Sequence, residues 1–321
     1  MAYDIEHKLV IGIASSALFD LTESHRIYQD SGAEEYRKYQ EQNSAVILGR
    51  GVAFPFIRRF LNINTHFAPQ APVEVVLFSR NSPETGLRVM KSIAHYGLDI
   101  SRAAFVTGKS PYQYLPAFNA SLFLSANEED VRNALANKYP AGLVLPSRIE
   151  DDESDAELRV AFDFDGVIAD DEAETVFKRN NDVDEFHAHE TRHAATPHQP
   201  GPLAGLFQKL SSMQHMEEQA LQRDPAYKKI LRIAIITARS APAHERVVTT
   251  LKSWGVSASE TFFLGGMEKA RVLGIFKPHI FFDDQLSHLK SHDGTIPMVH
   301  VPFGIANVQL ASANPETGHG L

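Results

Sequence analysis

The sequence predicts an α/β fold built on a parallel sheet and arranged as two related halves. Three observations carry this: short apolar runs rich in Val, Ile and Phe alternate with helical stretches, the runs of the second half lead into polar groups, and the second half repeats the first. In the second half the runs are residues 158–164, 231–236, 261–264 and 279–282, with a helical stretch over 243–254. Apolar runs this short are strands buried on both faces, the condition of a parallel sheet covered by helices. Ligands of such sheets gather at the carboxyl ends of the strands.

The repeat is gap-free over residues 75–127 and 233–285, at an offset of 158. Ser79 falls on Thr237, Arg88 on Arg246, Tyr96-Gly97 on Trp254-Gly255, Gly108 on Gly266 and Phe123 on Phe281. Earlier positions match at an offset of 150, with Glu35-Tyr36 on Glu185-Phe186 and Gly51 on Gly201. The eight-residue difference falls in the polar stretch 211–229, where a longer loop or helix is easily accommodated. Matching Gly and aromatic positions over such a length point to duplication rather than to two strand–helix–strand units that merely look alike. The acidic stretch 147–157 reads as the linker between the copies.

Composition narrows the function. The 321 residues are 43% hydrophobic and 22% charged, which fits a globular protein with a full core. A net charge of −9 argues against a nucleic-acid partner but leaves room for a small phosphorylated one, since local cations override the global sign. With no cysteine, disulfides and thiolate metal sites are excluded. The run 9–13, with 17–19 after it, follows Asp4 and Glu6 rather than a basic cluster, so it reads as a buried strand and not a signal-peptide core. No stretch approaches the ~20 apolar residues that cross a bilayer, and a cytoplasmic location is expected.

Four features carry chemistry. The first run ends in Asp163-Phe164-Asp165-Gly166; in an extended segment the two carboxylates point the same way and need a cation between them, for which Mg²⁺ is the natural candidate. The second ends in Thr237-Ala238-Arg239-Ser240, where a hydroxyl and backbone N–H groups suit a phosphate oxygen, or where Thr237 or Ser240 caps the next helix. Lys269 could neutralise a nucleophile and phosphoryl oxygens, with Lys277 its rival. The fourth run leads into Asp283-Asp284, hard to explain as a solvated face and well explained as a metal ligand and its neighbour.

In that order these features resemble the haloacid-dehalogenase superfamily of phosphatases. The chain also resembles the cytosolic 5′-nucleotidase type I family at Ala17-Leu18-Phe19, Glu35-Tyr36, Tyr39-Gln40, Ala53-Phe54-Pro55-Phe56, Gly201-Pro202-Leu203, Ser253-Trp254-Gly255 and residues 278–285. The resemblance implies a Rossmann-like fold and hydrolysis of nucleoside 5′-monophosphates, AMP the usual preference. By the same resemblance Asp163 is the nucleophile and Asp165 the general acid and base. Thr237, Ala238, Arg239 and Lys269 would bind the phosphoryl group, and Mg²⁺ would sit among Asp163, Asp165 and Asp284 or Asp283. The first motif departs from the family's frequent Asp-Gly-Asp-Ala, which keeps the carboxylates and leaves base preference open. A sugar-phosphate phosphatase and a non-catalytic nucleotide sensor are the competing readings.

The expected domains are a silent half at 1–150, a catalytic half at 151–310 with a cap insertion at about 172–229, and a flexible tail at 311–321. The first half carries Ala14 and Ser16, then Ser125 and Ala126, where the second has its carboxylates, so it cannot hold Mg²⁺ or form a phospho-aspartate. It would pack against the active half, complete the substrate pocket, or bind a regulatory nucleotide through Ser79, Asn81, Ser82 and Lys109. His187, His189, His193 and His198 match no zinc spacing and read as a solvated or substrate-covering segment. Phe186, Phe207 and His189 are candidates for touching the base. Homo-oligomerisation is left open.

Overall fold

The computed structural model describes residues 3–149, 151–290 and 294–307; the tail expected at 311–321 lies outside them. The first half runs β1 (Leu9–Ala14), α1 (Ser15–Leu18), α2 (Thr22–Gln42), α3 (Phe54–His66), β2 (Val73–Ser79), α4 (Leu87–His95), β3 (Arg102–Phe105), β4 (Ala120–Ser125), α5 (Glu128–Ala136) and β5 (Ala141–Val144). The second begins with β6 (Leu158–Phe162), a turn (Phe164–Ile168), α6 (Glu172–Asn180), α7 (Val183–Arg192), α8 (Ala204–Arg223) and β7 (Leu231–Thr237). It closes with α9 (His244–Trp254), β8 (Glu260–Phe263), α10 (Lys269–Phe276), β9 (Ile280–Asp283), α11 (Leu286–Lys290) and β10 (Met298–His300).

All ten strands form one sheet in the order β3-β2-β1-β4-β5-β10-β9-β6-β7-β8. Every pairing is parallel except β5 with β10. The strands of the two halves therefore run in opposite directions, and their carboxyl ends lie on opposite edges of the sheet. Read inward from either outer edge, the order is the same. The strand-end residues of the first half consequently lie at the edge opposite the ends of β6, β7 and β9.

Successive residues of β6 serve two cores, as the pleat requires. Val160 and Phe162 join a core shared by both halves, with Phe56 and Phe60 of α3 and Phe207 of α8, while Ala161 joins a smaller one with Leu273 and Phe276 of α10. Side-chain bonds recur along the chain as well. Arg88 Nε donates to Val46 O at 2.7 Å and Leu48 N–H to Ser92 Oγ at 3.0 Å. Farther on, Arg246 Nε donates to Thr196 O at 2.9 Å and His198 N–H to Thr250 Oγ1 at 3.0 Å.

Two expectations change. The stretch 172–229 is not one cap: α8 buries Leu206, Phe207 and Leu210 in the shared core, and Phe207 meets Phe162 edge-on at 5.7 Å, so it cannot touch a base. Only α6 and α7 remain as candidates, and α2, which breaks its helical path at Gly32, stands in the corresponding place of the first half. The acidic linker is pinned to α3. Arg59, 1% exposed, donates to Asp151 Oδ1 at 2.6 Å, and Arg58 joins it at 3.0 Å.

Candidate active site

The site forms where β6, β7 and β9 end. Asp163 follows β6 directly, 4% exposed, and its Oδ1 accepts the Phe164 N–H at 2.7 Å while its own N–H bonds Phe282 O on β9. The turn after it contains five residues against four in α1, and its backbone leaves helical geometry at Asp165 (φ −72°, ψ 136°) and Gly166. Gly166 allows it. Its φ is +70°, and a Cβ there would lie 2.7 Å from Asp284 Cγ. Gly166→Ala is therefore expected to lower kcat/KM at least ~10-fold by displacing the Asp284 carboxylate, with a melting temperature within a few degrees of the parent; steady-state kinetics and a melting curve check both.

Lys269 opens α10 and is buried beside this turn. Its Nζ lies 2.7 Å from both Asp163 Oδ2 and Asp283 Oδ2. Burial works against the ammonium, but Asp163 and Asp283 outweigh it and hold the pKa above the ordinary lysine range. Asp283, with no exposed surface, also meets His288 Nδ1 at 3.2 Å and accepts the Gln285 N–H at 2.8 Å. Burial would raise its carboxyl, yet Lys269 and His288 keep it below its usual value. Asp163 goes the other way, to about 7, because burial and the charges of Asp283 and Asp165 outweigh Lys269. Lys277, by contrast, is exposed at the end of α10 with a φ of +49°, so Lys269 is the one of the two that lies among the carboxylates.

Asp284 is different. It is 1% exposed, and neither carboxylate oxygen has a hydrogen-bond partner; Glu174 Oε2 on α6 is equally bare. Burial first, then Glu174, Asp163 and Asp283, push its carboxyl up to about 10. The peptide is anchored, since Asp284 O sits 3.0 Å from His300 Nε2 and accepts Asn307 Nδ2 at 3.0 Å. Buried acceptors facing other carboxylates are costly unless a cation joins them, and hard oxygen donors of this kind suit Mg²⁺. Asp163, Asp283 and His288 also lie close enough to share an ion, but the Lys269 ammonium already bridges the first two. Of the expected metal carboxylates, Asp284 alone has both oxygens bare; Asp163 and Asp283 each spend one oxygen on Lys269, and Asp165 is held by a basic partner at both.

Asp165 lies in the fork of Arg239, whose Nη2 and Nε meet its two oxygens at 2.7 and 2.8 Å. Asp163 and Asp165 thus do not share one cation side by side; each has its own positive partner. Thr237 ends β7, buried, with Oγ1 accepting the Arg239 N–H at 3.3 Å, and the exposed Ala238 follows it. Helix α9 starts at His244 with no side-chain cap, so neither Thr237 nor Ser240 serves as one. The Arg239 guanidinium donates to Asp165, Glu190 and Ala243 O and lies 3.0 Å from His198 Nε2, so most of its N–H groups are turned to protein partners rather than to a phosphoryl oxygen.

The strand-end carboxylates, threonine and lysine are thus gathered at one place, and known proteins can be set beside them. The family model described as 5′-nucleotidase matches residues 1–308. This chain belongs to the 5′-nucleotidase family. It is 33% identical over 291 residues to cytosolic 5′-nucleotidase 1B of Homo sapiens, covering 89% of this chain and 47% of that protein. The chain thus spans about half the length of this relative, and the likeness agrees with the type I resemblance read from the motifs. No solved structure matches it.

Within this 5′-nucleotidase family member, sequence reasoning missed Glu174, Glu190 and His288, and misplaced His198. That histidine is 2% exposed, with Nε2 3.0 Å from Arg239 Nη2, so it belongs to the site's interior rather than to a solvated segment. His189 and His193 stack on each other at 4.3 Å, and Phe186 packs over the Arg239 guanidinium at 5.6 Å. Glu190 has a counterpart in Gln40, 150 positions earlier, likewise a buried polar residue within a helix, but that burial is visible only in the structure.

Proposed function

We propose that this chain hydrolyses nucleoside 5′-monophosphates, AMP among them, to nucleoside and phosphate through a phospho-aspartate on Asp163. One observation carries the reading: the buried Lys269 ammonium lies 2.7 Å from Asp163 and Asp283, beside an Asp284 carboxylate that nothing donates to. Family membership supports a phosphoric monoester substrate. The name of the human relative supports a nucleotide and a cytosolic location.

Asp163 and Asp284 would hold Mg²⁺, with Glu174 beside them, and the bound ion offsets negative charge on the phosphoryl oxygens. The chain's own residues do the rest. An Asp163 oxygen attacks phosphorus in line, the P–O bond to the ribose breaks, and Asp165 gives its proton to the departing 5′ oxygen. Asp165 then takes a proton from water, which attacks the same phosphorus and frees Asp163 as phosphate leaves. Lys269 keeps its charge throughout, fixing the nucleophile and meeting the phosphoryl oxygens. The Thr237 hydroxyl and the backbone of Ala238 are the remaining phosphate contacts, and α6 and α7 form the cap.

The two halves read best as duplicated copies, the first without catalytic power. The shared strand order and the recurring Arg88 and Arg246 bonds support this. At the strand ends of the first half lies a cavity of about 1640 Å³, lined by Ser15, Ser16, Ser79, Asn81, Ser82 and Ser125. It lies at the sheet edge opposite the carboxylates, and its size does not make it the reaction site; a regulatory nucleotide there would meet those hydroxyls and amides together with Arg26, Arg37, Arg50 and Arg80, while Lys109 lines a different pocket.

Phosphate release from AMP, IMP, dCMP and glucose 6-phosphate tests the reading directly. Nucleotides should be cleaved with Mg²⁺ and EDTA should stop the reaction. Faster cleavage of the sugar phosphate would make this a phosphatase of another class, and no release from any of them would make it a nucleotide sensor.

A further inference from the structure

Behind Asp165 stands more buried charge than an acid or base needs for itself. Both oxygens of the carboxylate are gripped by Arg239, itself 4% exposed and sandwiched between Phe164 at 5.3 Å and Phe186 at 5.6 Å. Nη1 of Arg239 pairs with Glu190, whose side chain has no exposed surface. Burial opposes that carboxylate, yet His198 and Arg239 hold it well below the usual range. Its second oxygen takes Arg246 of α9 at 2.9 Å, and Arg246 reaches Glu172 at the start of α6 at 2.8 Å. Phe186 and Glu190 are one turn apart on α7, so one face of that helix meets the guanidinium with both a ring and a charge.

We propose that Glu190 and Arg239 are positioning residues for Asp165: the Arg239 fork fixes the place and plane of the carboxylate, and Glu190 fixes the fork from α7. This rests on the reading of Asp165 as the group that protonates the leaving oxygen. A two-point guanidinium grip sets orientation as well as distance, which a single ammonium cannot do. Asp165 sits in a turn beside Gly166 and has no other charged partner at hydrogen-bond distance among the described residues. Displacement of a reacting group by about 1 Å can cost on the order of 10²-fold in rate. Without Glu190, Arg239 would be a buried cation with Asp165 as its one carboxylate partner among the described residues, free to draw that carboxylate out of place.

The test separates positioning of an acid from support of the fold by varying the leaving group. AMP is compared with its analogue in which sulfur replaces the bridging 5′ oxygen, since a thiolate departs without a proton far more readily than an alkoxide. The first turnover is followed as release of adenosine or of the thiol in wild type, Asp165→Asn, Glu190→Gln and Arg239→Lys, with melting curves for each. Glu190→Gln and Arg239→Lys should slow the AMP step on the order of 10²-fold and the sulfur analogue at least ~10-fold less, the selectivity expected of Asp165→Asn. Should Glu190→Gln fail to fold, Arg239→Lys, which keeps the buried positive charge, carries the same comparison. Equal losses on both substrates, or none, while Asp165→Asn remains selective, would overturn this inference and leave the role of Asp165 intact. An unselective Asp165→Asn would remove the acid role itself, and this inference with it.

Discussion

Asp163→Asn is expected to reduce turnover by at least ~10⁴-fold while leaving the fold in place. Hydrolysis of a phosphate monoester needs one of the largest barrier reductions known, and an amide cannot supply the oxygen nucleophile that divides the reaction in two. The structural cost is small by comparison. Asn keeps the shape of the side chain and an oxygen for the Phe164 N–H bond of 2.7 Å. It gives up the pair with Lys269, but Asp283 still holds that ammonium at 2.7 Å. Removing a buried carboxylate whose pKa is already pushed to about 7 partly offsets the loss. Phosphate release and trapping of the acid-stable phosphoenzyme measure the effect. If the variant kept more than about 1% of wild-type turnover, Asp163 would not be the nucleophile.

What could be read in advance was local. Asp163 and Asp165, Thr237 and the Asp283-Asp284 pair each follow an apolar run directly, so the strand periodicity that places the run also places the group at its carboxyl end. Lys269 was legible through its order among those motifs. The partners of Arg239 were not, because Glu190 and His198 reach it across 49 and 41 positions and only the packing of α7 near α9 brings them together. The antiparallel join of the halves was equally hidden, since it depends on β10, a strand of only three residues. The misreading of α8 had a visible remedy. Leu206, Phe207, Leu210 and Met213 fall on one helical face, the pattern of a helix that covers a core rather than a lid.

Asp284→Asn should separate the cation from the rest of the machinery, through stability as much as rate. The folded-state pKa of Asp284, about 10, lies above its unfolded value of 3.8. The native state therefore binds the extra proton, and the stability this contributes is complete below about 3.8 and is lost as pH rises toward 10. In EDTA the wild type should thus melt progressively lower between pH 5 and pH 9, while the variant, with no charge to bury and an amide able to donate to Glu174, should melt a few degrees higher at pH 8. Mg²⁺ reverses the order. A cation that binds only the folded wild type raises its melting temperature with concentration, and the variant, lacking the carboxylate, should show no such rise and should lose on the order of 10³-fold or more in turnover. A wild type indifferent to Mg²⁺, with a variant that melts no higher in EDTA, would leave the bare oxygens of Asp284 without a cation to explain them.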